Sequence, residues 1–211
     1  MIYKALKKYF KTHRLGFYLL LIGGLILTSC STTKSIPQDE QLFVGISKIN
    51  YEKNEDAKHF VKVQEEIEEA LATQPNGALF GSSSLRSPFP IGLWIWNEFS
   101  TKKSGLSKWI TKTFGKKPVL ITNVNPALRA SVAQQVLRSH GYLRGEVDYN
   151  IESTENVKKA KVAYNVTPGP LFRIDSVEFV GFPEREMNYL RSLNGAILLH
   201  KGDIFDVSTL E

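Results

Sequence analysis

The 211-residue sequence has a single cysteine, Cys30, so no disulfide can form within the chain. Its four histidines, His13, His59, His140 and His200, are scattered, and neither metal-ligand spacing nor a nucleophile beside a base can be read from them. Long apolar runs are also lacking. The longest, residues 15–27, has thirteen residues and is interrupted by Gly23 and Gly24, whereas a membrane-crossing helix needs about 20. A real charge bias is missing too. Of 27 lysines and arginines, five (Lys4, Lys7, Lys8, Lys11 and Arg14) precede Cys30, where there is no acid; from Cys30 onward 22 basic residues meet 21 acids, a balance of +1. That balance gives no argument for nucleic acid as a partner.

What is present first is a leader. The stretch MIYKALKKYFKTHR is a basic n-region, and residues 15–27 form the apolar h-region behind it. The boundary Leu27, Thr28, Ser29, Cys30 resembles the bacterial lipobox. There, small residues let the backbone enter a peptidase cleft, and a thiol forms the thioether to diacylglycerol. Residues 1–29 thus read as a lipoprotein signal peptide and Cys30 as the lipidated first residue of the mature chain. The alternative, an ordinary secretory leader, would leave Cys30 as an exposed spare thiol. No cofactor is expected beyond this covalent lipid. Each buried CH₂ of the acyl chains contributes about 0.8 kcal/mol, enough in sum to hold the protein at a bilayer. Ser31, where an aspartate can retain such proteins at the inner membrane, points by the same resemblance to the outer membrane. Residues 30–41, rich in Ser, Thr, Lys, Pro and Gln, read as a flexible lipidated tether.

The following residues carry folded elements. ISKINYE reads as a strand with Ile49 and Tyr51 on one face. Residues 56–73 place Phe60, Val63, Ile67 and Leu71 at helical spacing opposite Glu65, Glu66, Glu68 and Glu69. Residues 76–118 form an insertion rich in turn formers and aromatics, with a short basic amphipathic helix in KSGLSKWITKTFGKKP. Either it packs on the core or it exposes an aromatic patch, with Trp94, Trp96 and Trp109 as candidate contacts. Asn125 and Pro126 open a further helix, Leu128, Val132 and Val136 form its apolar stripe, and Gly141 stops it. Val147, Tyr149 and Ile151 then alternate as an inward-facing set, and Val162, Tyr164 and Val166 alternate after a polar turn, which predicts a hairpin.

Beyond TPGP the opening pattern returns. Ile174, Val177 and Phe179 match Ile46, Ile49 and Tyr51, a helix is predicted over 184–193, and Asp206 or Ser208 would cap another. The expectation is one complete α+β module over residues 42–169 and the opening of a second over 170–211. The second would lack its hairpin and be marginally stable.

The order strand, helix, helix, strand, strand, together with GYLRGEV, VAYNVTPGPLFRIDSVEFVG and KGDIFDVSTLE, resembles the polypeptide-transport-associated (POTRA) repeats of the BamA/TamA outer-membrane assembly family. The lipobox, TQPNGALFG and KKPVL are similar to its lipid-anchored TamA-like branch. The resemblance implies β-α-α-β-β modules held on the periplasmic face of the outer membrane, with no β-barrel within these 211 residues. It places the first hairpin strand, Gly145, Glu146, Val147, Asp148, Tyr149, Asn150 and Ile151, at an open sheet edge. Unfolded outer-membrane protein clients, or a periplasmic or inner-membrane translocation partner, would add there as a further strand. An enzyme is not expected: FGSSS lacks a nucleophile elbow, and the four glutamates read as a solvated helix face. The alternative is a stand-alone outer-membrane lipoprotein whose aromatic insertion binds a partner protein or cell-wall glycan.

Intact mass spectrometry of the membrane fraction should show a species that begins at Cys30 with added acyl mass and disappears in Cys30→Ser. A chain cut elsewhere with a free thiol would remove the anchor.

Overall fold

A computed structural model of the protein describes residues 32–53, 57–192 and 199–207. Cys30, its leader and Ser208 lie outside the described residues. Three strands form one mixed open sheet: β1 (Leu42–Tyr51), β2 (Glu146–Ser153) and β3 (Lys159–Thr167), in the order β1-β3-β2. β3 runs parallel to β1 and antiparallel to β2. The helices are α1 (Ala57–Leu71), α2 (Ile91–Phe99), α3 (Gly105–Phe114), α4 (Ile121–Val124), α5 (Pro126–Ser139) and α6 (Glu184–Ser192). With the insertion's α2 and α3 and the short α4 set aside, residues 42–167 run strand, helix, helix, strand, strand. Among the described residues no helix is long and apolar enough to cross a membrane.

α1 and α5 cover one face of the sheet. The helical spacing of Phe60, Val63, Ile67 and Leu71 puts all four in the core. There they meet Phe43 and Ile46 of β1 and Val162, Tyr164 and Val166 of β3. Removing such side chains from water contributes about 1.5–3 kcal/mol each. Phe60 also stands edge-on to Tyr51 and Tyr142, with ring centroids 5.8 and 5.6 Å away.

β1 begins four residues earlier than the alternation of ISKINYE indicates. Its first half, LFVGI, is buried on both faces. Phe43 and Ile46 turn to the main core, while Leu42 and Val44 pack with Ile36 and with Leu93 of α2. The insertion and the residues just after it also bond the outer edge at the start of β1. Phe43 N–H donates to Val119 O (2.8 Å), Ile46 N–H to Ser83 O (2.9 Å), and Ile121 N–H returns to Gln41 O (3.0 Å). At Gly45 the strand bulges with φ +121°, and a Cβ would lie 2.7 Å from Ser83 O, so only glycine lets the insertion cross so closely.

Three expectations need correcting. The helix over Pro126–Ser139 starts as expected, with the Asn125 side chain accepting from Leu128 N–H, but its buried face is Pro126, Ala130, Ala133 and Leu137. Leu128 and Val132 are exposed. α5 packs closely on both α1 and β2, and the small Ala130 and Ala133 sit in that contact with Leu137. Residues 32–41 are docked rather than free: Ile36 is buried, and the Lys158 ammonium donates to the carbonyls of Pro37 and Gln38 (2.6 and 2.7 Å). Finally, Ile174, Val177 and Phe179 do not lie in a strand. The described residues offer this stretch no sheet to join, only the isolated bridge of Arg173 with Ile204. α6 forms beyond it but buries no residue.

Ala133→Leu should destabilise the protein by about 1–3 kcal/mol through overpacking. Val132→Ala on the outer face should change stability by less than about 0.5 kcal/mol. Urea denaturation of both variants tests this assignment of faces.

Candidate interaction site

The two edges of the sheet differ. The insertion covers part of the β1 edge, whereas among the described residues β2 pairs only with β3. Thr154 N–H donates to Lys159 O (2.9 Å), and hydrogen-bonded pairs alternate along an antiparallel ladder. With the observed register, Glu146, Asp148, Asn150 and Glu152 therefore bond to β3. Val147, Tyr149 and Ile151 direct their N–H and C=O groups to the open side. Gly145 lies just before the strand, and its backbone is already engaged: the N–H donates to Tyr142 O (2.8 Å), and the carbonyl accepts from the Gln134 side chain (3.0 Å).

The side chains of β2 are less buried than their alternation suggests. Val147, Tyr149 and Ile151 stand opposite Val166, Tyr164 and Val162, so all three point to the helix-covered face. Only Val147 is buried; Tyr149 and Ile151 are 38% and 45% exposed. The cause lies in α5. Gln134 marks the side of that helix turned to β2, and three and seven residues before it stand Ser131 and Ala127, too small to reach over the strand. An apolar shelf thus runs along the open backbone. Glu146, Asp148 and Asn150 are exposed on the opposite face. Charges there discourage unspecific pairing at an open edge. Beneath the shelf Tyr164 is buried, which pushes its phenol pKa up to about 12 and keeps it neutral.

The three tryptophans do not form one patch. Trp94 and Trp96, two residues apart on α2, point to different sides of the helix and are each half-buried. Trp94 meets Phe89 edge-on (6.0 Å), and the Lys117 ammonium lies 5.6 Å from the centre of a Trp96 ring. Trp109, on α3, is exposed beside Phe114. The insertion therefore does both things its composition allows: it packs a second small core through Leu93 and leaves an aromatic surface outside.

A buried polar junction escapes sequence reasoning, because its members lie far apart in the chain. His140, at the end of α5, directs Nε2 to Glu66 of α1 (2.9 Å) and Nδ1 to Asp206 (3.0 Å). Carboxylates accept, so the two contacts together favour the protonated imidazole, which donates from both ring nitrogens. Its backbone carbonyl meets His59 Nε2 at 3.1 Å. Burial favours the neutral ring, but the two carboxylates outweigh it and hold the His140 pKa above its ordinary value. Residues 171–174 and 202–206 are pinned here to the end of α5, through Phe172 N–H to Gly141 O (2.9 Å) and Phe205 N–H to Phe172 O (3.1 Å). Gly141 has φ +88°, and a Cβ there would lie 2.7 Å from Phe205 O.

No family model, curated protein or solved structure matches this chain.

A raised folded-state pKa adds stability that is fully present below the unfolded value and is lost as pH rises through the folded value. Docking of 202–206 should therefore be firm at about pH 6 and weaken above the ordinary histidine value of about 6.5. Hydrogen exchange of Phe172 and Phe205 amides, corrected for intrinsic rates, should report this loss, and His140→Gln should abolish its pH dependence.

Proposed function

We propose that this chain is the POTRA-like, periplasmic portion of an outer-membrane protein assembly or translocation factor, anchored by lipid at Cys30. In this reading it has no catalytic role. It holds extended segments of unfolded outer-membrane clients, or of a periplasmic or inner-membrane partner, as a fourth strand on β2. The observation that supports this best is the row of outward N–H and C=O groups at Val147, Tyr149 and Ile151, beside side chains that α5 leaves uncovered. Backbone pairing tolerates almost any client sequence. Each added hydrogen bond is worth only about 0.5–1.5 kcal/mol net, so clients bind and leave readily. The order of elements supports the same reading, since the resemblance rests on β-α-α-β-β. Recognition of a glycan by three clustered tryptophans is less well supported, because the three are dispersed.

Proline distinguishes the two sides of the strand. Ile151→Pro removes an outward N–H that no ladder uses, and proline is tolerated at such edge positions. Asn150→Pro removes a bond to Ala163 and should damage the sheet. A fluorescent peptide of alternating apolar and polar residues, taken from a membrane barrel strand, should bind Ile151→Pro about 2- to 13-fold more weakly than the parent, with circular dichroism unchanged. Equal binding by a folded Ile151→Pro would overturn strand addition at β2.

A further inference from the structure

We propose that the insertion is a membrane-surface element, with α3 and its flanking lysines resting on the anionic headgroups of the bilayer to which Cys30 is attached. The inference rests on the lipid-anchor reading. Charge is the first observation. Residues 76–118 carry seven basic side chains and one acid, a net +6; the remainder from Cys30 onward has 15 basic and 20 acidic side chains, a net −5. The near-neutral mature chain is thus polarised, with its net positive charge in one insertion. Its single acid, Glu98, is already met by Lys102 (2.6 Å) and Lys34 (3.5 Å).

The shape of α3 is the second observation. Leu106, Trp109 and Phe114 are 68%, 58% and 54% exposed. Trp109 and Phe114 stand edge to face with centroids 5.9 Å apart. Lys112 follows Trp109 by one helical turn, and Lys108 precedes it. An aromatic flanked by lysines suits the headgroup boundary, where the ring enters the acyl margin and each ammonium near an anionic surface adds attraction.

Position selects the bilayer over an acidic protein. The chain is held against α2 from Lys34 onward: the Ser35 hydroxyl donates to Asn97 Oδ1, and Ile36 is buried with Leu93. Three residues lie between Lys34 and Cys30, so four Cα steps give a reach of at most about 14 Å. α3 packs against α2. Its surface lies about one helix diameter, roughly 10 Å, further on. A lipid on Cys30 therefore keeps this surface within reach of the headgroups. Because the insertion sits on the β1 side of the sheet, β2 then opens away from the membrane.

The test uses the full chain, extracted from bacterial membranes and reconstituted into phosphatidylethanolamine vesicles with or without phosphatidylglycerol, some of it dibrominated in the acyl chains. Flotation reads anchoring, and bromine quenching of indole fluorescence reads contact by the insertion. Trp109 emission, taken as the difference between the parent and Trp109→Phe, should be quenched about twofold more in anionic than in neutral vesicles. Lys108→Glu with Lys112→Glu should erase that difference while the chain still floats. Flotation with no Trp109 quenching would overturn the inference and leave the anchor standing, and point to a protein partner for the aromatic face. Failure to float would overturn both.

Discussion

The first half of β1 is bonded on both edges: β3 takes one, and Ser83 of the insertion and Val119, just after it, accept from Ile46 and Phe43 on the other. This half is buried on both faces as well, beneath α1 and α5 on one side and beside Leu93 of α2 on the other. The half enclosed this way, Leu42–Ile46, carries no polar side chain, and its bulge must be glycine where Ser83 crosses. The asymmetry of the sheet follows from that enclosure. Both β1 and β2 are edges of the sheet, and with part of the β1 edge covered, β2 is the more open of the two among the described residues.

Period alone revealed part of this architecture. The four-residue spacing of α1, the cap at Asn125, the glycine stop at Gly141 and the alternation of β3 are local signals, and each element forms where they indicate. The start of β1 was hidden because burial on two faces removes alternation. The buried face of α5 was hidden because close packing favours Ala130 and Ala133, while Leu128 and Val132 carry the stronger apolar signal. Residues 174–179 carry a strand pattern but have no partner strand, so pattern and structure part company there. Of the candidate site, the edge strand could be placed by resemblance, but the exposure of Tyr149 and Ile151 depends on what α5 lacks. The His140 junction joins residues 66, 140 and 206, and no spacing rule connects them.

That junction also defines how the module continues. Residues 202–206 reach the end of α5 through His140 between two carboxylates and through backbone bonds, with Ile204 beside Gly141. Contacts of this kind fix direction without fixing the join permanently. α6, with no buried residue, extends from the body without a core of its own.

The outward groups on β2 belong to every second residue, and those same residues send their side chains towards the shelf. Any chain added there inherits the same two-residue rhythm: half of its side chains fall beside Tyr149 and Ile151, and the other half face the side of Glu146, Asp148 and Asn150. Such an edge measures periodicity rather than sequence. In the strand-addition proposal it would favour segments that alternate apolar with polar residues, as the wall strands of a membrane barrel do, and give no such advantage to a segment patterned for a helix.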